Sequence, residues 1–420
     1  MQSTIHNSTH KESRSTVFAK KLSAYTADIL MHAKKNDYHT NESSLYAAGD
    51  EIYQGNIKKA LSPFKGVEHV VLVGIGGSSL GTEAIYHALK TEKSPSLLVL
   101  DTINKDSLSQ FSDLVKACKN LKKIVCVVVS KSGTTTETLT NAMKVMEIGE
   151  KKFGNSFLKR VIFIGDKNSD FYRIGEKKNI VCFSFPEIIG GRYSVFTAVG
   201  MVPLTLLGID TTALRKGATD ILQKDEFKNI ALNAQTLAVQ AEKGVHTVNF
   251  FTFCDRLEYI GFWYRQLLAE SIGKNMTTHG VTFCHQLLPI VSTSADLHSM
   301  SELYLGGYQN IFTHFISYEE PKPFRLAKAH WILEHVPFLK MKSSEQINQA
   351  IQTGVIQAYQ DQKLPYRITT LGGCTAYEIG YLLASLMAEV MCLAHLLDVD
   401  PFHQPSVELY KKHTKASLHS

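Results

Sequence analysis

The chain has 420 residues, of which 44% are apolar and 20% charged, and 45 basic against 39 acidic side chains leave a formal net charge of +6. This composition is typical of a globular protein with two or three domains and excludes collagen-like, coiled-coil and disordered chains. The basic residues are spread along the sequence, so we expect no nucleic-acid partner. The apolar runs are shorter than the ~20 residues of a membrane span, so we expect no membrane partner either.

The cysteines and the N-terminal residues bear on the compartment. Seven cysteines form an odd set without a C-x-x-C pair, which is typical of free thiols rather than of a disulfide framework or a zinc site. The first fifteen residues are polar and contain no apolar stretch of the kind found in secretory signals. We therefore expect a cytoplasmic protein.

Hydrophobic periodicity indicates a helical start followed by two cycles of strands and helices. Apolar positions within residues 1–60 recur at helical spacing. Short runs typical of buried strands then alternate with helical stretches, and they lie at 70–76, 96–101, 124–130 and 161–166, and again at 248–253, 311–317 and 367–371. Strands alternating with helices predict parallel sheets that are covered on both faces.

The predicted fold class is therefore α/β, with two α-β-α sandwich domains, parallel sheets, and additional N- and C-terminal helices. The predicted division of the chain is a helical segment over 1–60, a first sandwich domain over 61–210, linker helices with a second sandwich domain over 211–400, and a C-terminal helix over 401–420.

A glycine-rich turn follows the first predicted strand, with the sequence Gly-Ile-Gly-Gly-Ser-Ser-Leu-Gly over 74–81. Its glycines permit close backbone approach, and N–H groups at the start of the next helix can hold an anion. The turn lacks the third glycine of a dinucleotide fingerprint and the Gly-Lys-Ser/Thr ending of a P-loop. A tight strand–helix turn without a ligand is the alternative.

A second polar loop ends the third predicted strand, with the sequence Ser-Lys-Ser-Gly-Thr-Thr-Thr over 130–136. Five hydroxyls and one ammonium in seven residues are donors that suit a phosphate monoester. A Ser/Thr-rich helix cap is the alternative interpretation. Two such loops on neighbouring strands favour a sugar-phosphate pocket more than either loop does alone.

Individual side chains add a candidate acid–base apparatus. Two glycines precede Arg192 and allow the guanidinium to point inward, where it could stabilise an oxyanion; a surface salt bridge is the alternative. Gln266 and Glu270 lie four residues apart on one helix face, and Glu270 is a candidate general base or else a solvated helix-end carboxylate. Taken alone, His298 and Lys411 are typical of a structural histidine and a solvated helix face.

Five segments, in order along the chain, resemble the phosphoglucose isomerase family. They are the two polar loops at 74–81 and 130–136, Ile-Gly-Gly-Arg-Tyr-Ser at 189–194, Glu-Ser-Ile-Gly-Lys at 270–274 and Phe-His-Gln-Pro-Ser-Val-Glu-Leu-Tyr-Lys at 402–411. His403 and Ser406 depart from the family's C-terminal signature, which usually has Asp and Gly there. The resemblance implies two sugar-isomerase (SIS) domains.

The resemblance also implies an activity and a set of residues. The activity is aldose–ketose isomerisation between glucose 6-phosphate and fructose 6-phosphate through a cis-enediol(ate), in glycolysis and gluconeogenesis, with no cofactor and no metal. Carried over by position, Glu270 is the base and Arg192 stabilises the intermediate, while His298 and Lys411 promote ring opening. The implied substrate-binding residues are Gly77, Ser78, Ser130, Lys131, Ser132, Thr135, Gln266 and Gln404.

The partners implied by the resemblance are a small-molecule sugar phosphate and a second copy of the chain, in a homodimer with His298 contributed across the interface. Two other functions are compatible with the same fold. One is a dual glucose/mannose-phosphate isomerase, which uses the same enediol chemistry. The other is a non-catalytic SIS sensor of a sugar phosphate, which predicts loss of the base, although Glu270, His298 and Lys411 are all present.

Overall fold

The computed structural model describes residues 2–6, 12–35, 37–307, 310–319 and 323–419. The strands in these ranges are β1 Gln2–His6, β2 His69–Val73, β3 Ser96–Leu100, β4 Ile124–Val129, β5 Val161–Gly165, β6 Val181–Ser184, β7 Thr247–Thr252, β8 Leu288–Thr293, β9 Ile311–Tyr318 and β10 Tyr366–Leu371.

The α-helices in the same ranges are α1 Glu12–Lys34, α2 Glu51–Ala60, α3 Leu80–Leu89, α4 Lys105–Ala117, α5 Thr136–Phe153, α6 Asp170–Lys177, α7 Ala198–Leu206, α8 Thr211–Asp220, α9 Lys224–Glu242, α10 Glu258–Ile272, α11 Ser301–Gly306, α12 Ser344–Asp361, α13 Ala376–Leu396 and α14 Val407–His419.

The first sheet has the strand order β3-β2-β4-β5-β6, and all of its pairs are parallel. Its strands are short and rich in β-branched residues, and β4 is buried at every position. Such continuous apolar runs are typical of strands that helices cover on both faces. Because β2 and β4 are parallel neighbours, the two polar loops that follow them lie at the same edge of the sheet.

The second sheet has the order β1-β10-β9-β7-β8. Four of its strands are parallel, and β1 adds to the edge antiparallel to β10, with Gln2 opposite Thr370. The predicted α/β class with two parallel sandwich sheets is confirmed. The strand β1 lies in the segment 1–60 that the sequence predicts as helical, because its five residues are recognisable as a strand only beside β10. The predicted domain boundaries at 60, 210 and 400 stay a prediction.

The helix α13 forms the centre of the second half of the chain and packs against α8, α9 and α10. Of the described helices, it alone is long and apolar enough to cross a membrane, but it is almost entirely buried inside the protein. Its crossing with α8 is close, because a Cβ added to Gly217 or to Gly380 would lie 1.9 Å from a backbone oxygen of the other helix. It is therefore a core helix whose backbone touches a neighbouring backbone.

A buried ion pair joins α13 to the second sheet. Arg367 of β10 donates two hydrogen bonds to Glu389 of α13, at 3.0 and 3.1 Å, and the two side chains are 1% and 3% exposed. Arg367 also donates to Nδ1 of His314 at 2.9 Å. Arginine cannot accept a hydrogen bond, so the imidazole must be neutral, and burial with the Arg367 charge holds the pKa of His314 well below its usual range.

Removing one partner of this pair should destabilise the protein far more than removing both. Arg367→Leu leaves the Glu389 carboxylate buried without its cation, and we expect a loss of about 3–5 kcal/mol in unfolding free energy. The double variant Arg367→Leu/Glu389→Leu should lie closer to wild type than Arg367→Leu does, because no uncompensated charge remains. Urea unfolding followed by circular dichroism measures both.

The matched control is the exposed pair Lys144 and Glu147 on α5, which are 2.7 Å apart. Lys144→Leu should change the unfolding free energy by no more than about 0.5 kcal/mol. Equal losses for Arg367→Leu and Lys144→Leu would show that burial does not govern the energetics of the inner pair.

Candidate functional site

The candidate site lies at the carboxyl edge of the first sheet, where loops of that sheet meet the C-terminal half of α10. The loop after β2 forms the short helical turn Gly76–Ser78 before α3, and α3 packs along α10. A second short turn, Gly191–Tyr193, lies beside it. The glycine-rich turn at 74–81 and the Gly-Gly-Arg segment are therefore neighbours in space, although more than one hundred residues separate them in the sequence.

Glycine is required where these two turns meet. A Cβ added to Gly77 would lie 2.4 Å from the carbonyl carbon of Gly191 and 2.7 Å from the amide nitrogen of Arg192. Ser194 Oγ donates to the carbonyl oxygen of Gly77 at 3.5 Å. Gly76 adopts a φ of +60° and faces the amide of Gln266. The backbone at Gly77 thus sets the position of the Arg192 backbone.

Arg192 is only 2% exposed, which excludes the surface salt bridge that its sequence left open. Its Nε donates to Ser271 Oγ at 3.0 Å, its Nη2 donates to the carbonyl oxygen of Pro401, and its Nη1 lies 3.5 Å from Glu270 Oε2. Tyr193 OH lies 2.9 Å from the same Ser271 hydroxyl. The guanidinium is held in one orientation by contacts from α10 and from the segment that follows α13.

The Glu270 carboxylate is oriented by two amides. Gln266 Nε2 donates to Oε1 at 3.1 Å, and Gln404 Nε2 donates to Oε2 at 3.0 Å. Gln266 Oε1 is buried and has no hydrogen-bond partner in the part of the chain that the structure describes. The side chain of Glu270 is 32% exposed. A carboxylate fixed by neutral donors and open on one side can exchange a proton with a bound molecule.

The polar loop after β4 is linked to the arginine segment by Lys131. Its Nζ donates to the carbonyl oxygens of Glu187 at 2.6 Å and Ile189 at 2.9 Å, and burial lowers the pKa of Lys131. Two of the three ammonium hydrogens are thereby engaged within the protein. Lys131 therefore holds the polar loop against the segment that leads to Arg192.

The hydroxyls of this loop are partly engaged with one another. Ser130 is buried and donates to Thr135 Oγ1 at 3.4 Å. Ser132 Oγ lies 2.9 Å from Thr134 Oγ1 and is exposed. The alternative interpretation of this loop was a Ser/Thr-rich helix cap. Thr135 occupies the N-cap position of α5, but its side chain donates no capping hydrogen bond and accepts none. The loop presents hydroxyls at the same sheet edge as the turn that contains Gly77 and Ser78.

Two candidate residues do not join this cluster. His298 ends the exposed short turn Ser294–His298 after β8, and the structure gives it no hydrogen bond or ion pair among the described residues. Lys411 lies on the exposed helix α14, where its Nζ pairs with Glu408 at 2.7 Å. Within the same described ranges, neither side chain forms a hydrogen bond or an ion pair with Glu270. The other candidates lie on the loops, on α10 or on the segment before α14.

The structure also shows two residues that the sequence analysis did not select. Ser271 accepts from Arg192 and contacts Tyr193, and Lys274 donates from Nζ to the carbonyl oxygens of Glu270 at 2.8 Å and His403 at 2.5 Å. Burial lowers the pKa of Lys274 to about 8, and the charge of Arg192 acts in the same direction. Both residues lie in the Glu-Ser-Ile-Gly-Lys segment at 270–274, one of the five segments that resemble the family, so this motif could have identified them.

No site for a metal ion is evident in the described ranges, where no three His, Cys, Asp or Glu side chains cluster closely enough to hold one. A groove of about 1090 Å³ between α1 and α9 has a largely apolar lining, which includes Leu22, Leu30 and Phe227. None of the candidate residues lines that groove. The candidate site is therefore identified by the chemistry of its side chains and not by the volume of a groove.

A carboxylate and a guanidinium 3.5 Å apart form a pair suited to moving a proton next to a carbonyl while stabilising the oxyanion that results. Together with a hydroxyl-rich loop at the mouth of a parallel sheet, this pair is compatible with an α/β isomerase of the phosphosugar class. A sequence model described as phosphoglucose isomerase matches residues 33–420. The chain belongs to the phosphoglucose isomerase family.

Comparisons with individual proteins agree. The chain is similar to a glucose-6-phosphate isomerase of Methanocaldococcus jannaschii, with 32% identity over 86% of this chain and 87% of that one. A crystal structure of a hypothetical protein from Thermus thermophilus has a TM-score of 0.83 and 22% identity, and covers 100% of both chains. A glucose-6-phosphate isomerase structure from Chlamydia trachomatis has a TM-score of 0.75 and 19% identity, over 93% of this chain and 78% of that one. The two structures show that the fold is shared.

Proposed function

We propose that Glu270 is the base with which this chain interconverts glucose 6-phosphate and fructose 6-phosphate, and that the reaction passes through a cis-enediol(ate). The isomerase activity itself follows from the family to which the chain belongs. The observation that carries the residue assignment is the Glu270 carboxylate between Gln266, Gln404 and Arg192. Three contacts orient a carboxylate that is still open on one side.

The chemistry requires one proton to move between C2 and C1 of the open-chain sugar and a second proton to move between the oxygens O2 and O1. Glu270 would remove the proton from one carbon and return it to the other, so the carboxylate ends the cycle unchanged. Negative charge develops on the substrate oxygens in between. Arg192 stays charged and would stabilise the enediolate, because a preorganised cation acts strongly where water is excluded.

The polar loops would hold the phosphate end of the substrate. Gly77 and Ser78 supply backbone and hydroxyl donors, and Ser130, Ser132 and Thr135 supply hydroxyls from the neighbouring loop. Lys131 adds positive charge at the junction of this loop and the arginine segment. A phosphate bound here would fix the sugar while the chemistry occurs at its other end.

The amides that bind Glu270 would also position the sugar hydroxyls. Gln266 keeps its buried Oε1 unpaired in the described part of the chain, and an unpaired acceptor of this kind suits a substrate hydroxyl. Gln404 reaches the carboxylate from the segment before α14. Both amides would thus serve the base and the substrate together.

We further propose that the enzyme works as a homodimer in the cytoplasm. His298 is exposed and has no hydrogen bond or ion pair within the described residues of its own chain, which supports its action in the site of a second copy. Lys411 would join His298 in promoting ring opening once α14 approaches the site. All seven cysteines are free thiols, and the family is one of soluble metabolic enzymes, which supports the cytoplasmic location.

Glu270→Gln should strongly reduce turnover without unfolding the protein. We expect kcat for fructose 6-phosphate in a coupled assay, with EDTA present, to fall by ~10²–10⁴-fold, the usual contribution of a general base. Exchange of the C2 proton with solvent should disappear in parallel. Glu258→Gln, at the opposite end of α10, is the matched control and should retain wild-type turnover. Near-normal turnover of Glu270→Gln would exclude Glu270 as the base.

Lys131→Ala should weaken binding of the phosphate end. We expect KM to rise and kcat to fall less, because a charge-assisted contact worth about 1.5–3 kcal/mol is lost far from the reacting carbons. Inorganic phosphate should inhibit wild type competitively and the variant much less. Lys119→Ala, near the other end of β4, serves as control. Unchanged phosphate inhibition in Lys131→Ala would place Lys131 outside the pocket.

Mixed dimers should show whether His298 acts across the interface. His298→Ala and Glu270→Gln should each be nearly inactive alone. A dimer with one chain of each kind would have one site with both lesions and one with neither, so co-refolding should restore activity that approaches half of wild type per mixed dimer. If His298 serves its own chain, every site keeps one lesion and no activity returns.

A further inference from the structure

Residues 400–404, which we call the C-terminal strap, lead from the end of α13 past the candidate site to α14. The strap is folded by Asp400, whose Oδ1 accepts from the amides of Phe402 at 2.8 Å and His403 at 3.3 Å. The ring of Phe402 packs on Tyr193 with centroids 5.2 Å apart. Gln404 then places its amide on the Glu270 carboxylate.

Two cations hold the strap by its backbone. Arg192 donates to the carbonyl oxygen of Pro401, near the start of the strap. Lys274 donates to the carbonyl oxygen of His403, the residue directly before Gln404. The same ammonium also donates to the carbonyl oxygen of Glu270. One side chain therefore joins the backbone that carries the base to the backbone that carries its amide donor.

We propose that Lys274 is a positioning residue for the isomerisation, because it fixes the distance between the Glu270 and Gln404 backbones and so keeps the Gln404 amide on the carboxylate. This inference rests on the proposed role of Glu270 as the base. Lys274 itself touches neither the carboxylate oxygens nor the guanidinium of Arg192 through a hydrogen bond in the described part of the chain.

A purely structural role is the competing explanation. A lysine near the end of a helix commonly binds the last carbonyl groups and complements the helix dipole. The bond from Lys274 to Glu270 is of this kind, since Glu270 lies in the last turn of α10. The bond to His403 is not, because it leaves the helix and reaches a segment 129 residues away in the sequence.

The charge state of Lys274 provides a readout that a helix cap would not. Burial and the Arg192 charge lower its pKa, Asp400 and Glu270 oppose them, and the pKa is about 8. Above that pH the ammonium loses its charge, its hydrogen bonds to the two carbonyls weaken, and the Gln404 amide is less firmly held. Turnover should therefore decline as pH rises through about 8.

Folding stability should change in the opposite direction. Between pH 8 and the ordinary lysine value of 10.5, the unfolded chain binds more protons at this position than the folded chain does. The contribution of Lys274 to unfolding free energy therefore rises with pH in this interval. A loss of activity there cannot be attributed to unfolding caused by this group.

The experiment combines four variants with a control. Lys274→Met should lower kcat ~10–100-fold with a smaller change in KM. Gln404→Ala should lower kcat by at least as much, and the double variant should be little worse than Gln404→Ala alone, because Lys274 acts through the Gln404 contact. Lys274→Arg keeps a cation that stays charged, so it should recover much of the activity and lose the decline near pH 8.

Lys152→Met is the matched control. Lys152, on α5, also donates to backbone carbonyls, and those of Val115 and Cys118 accept at 2.7 and 2.9 Å. It should leave kcat, KM and the pH profile unchanged. Thermal melts of all variants verify that each is folded at the assay temperature.

Three results would overturn the inference. The first is that the losses of kcat in Lys274→Met and Gln404→Ala multiply in the double variant. The second is that the decline of turnover above pH 8 persists in Lys274→Arg. The third is that Lys152→Met loses as much kcat as Lys274→Met does. These are distinct from failure of the proposed function, in which wild type itself would lack isomerase activity or Glu270→Gln would retain it.

Discussion

The arrangement of the site depends on one buried guanidinium. Arg192 contacts Glu270 and Ser271 on α10 and Pro401 on the C-terminal strap, while its own backbone lies against Gly77. A buried cation costs several kcal/mol of desolvation unless it is fully hydrogen-bonded. The folded state must therefore bring these segments together around the arginine. The same contacts that offset its burial place a positive charge beside the carboxylate.

The parallel topology explains why such distant segments can meet. Loops that follow β2 and β4 emerge at one edge of the first sheet, and α10 lies against that edge through its packing on α3. Lys131 then links the second of these loops to the segment before Arg192. The loops proposed to bind the phosphate end and the reacting end of the substrate are thus joined by a single connected set of backbone contacts.

Much of this architecture could be predicted from the sequence, for identifiable reasons. Strands such as β4 are apolar at every position because helices cover both faces, and such runs are visible in a sequence. The clustering of Arg192, Gln266, Glu270 and Gln404 was implied by the resemblance to the phosphoglucose isomerase family and not by composition or spacing. By contrast, β1 becomes a strand only through pairing with β10, and β6 is four residues long with only one fully buried position. Neither has a local signal of sufficient strength.

The contacts of the lysines could not be predicted for a different reason. A lysine that binds backbone carbonyls has partners with no side-chain identity, so nothing in the letters at 187, 189 or 403 indicates that Lys131 and Lys274 bind there. For His298 and Lys411 the sequence motif implies a role, but the structure of one chain does not show the contacts that the role requires. Their proposed roles depend on a second chain or on movement of α14, and in the described part of a single chain neither forms a hydrogen bond with Glu270.

The use of main-chain oxygens in the strap has a consequence for how this segment tolerates substitution. Position 403 carries histidine, but the atom that Lys274 binds there is a carbonyl oxygen, which every amino acid supplies. The hydrogen bond from Lys274 therefore does not depend on which residue occupies position 403, but it does depend on the number of residues between this position and Pro401. Exchanging the side chain at 403 keeps the hydrogen bond from Lys274, whereas inserting or deleting a single residue between Pro401 and His403 would change the spacing of the two carbonyl oxygens that Arg192 and Lys274 bind.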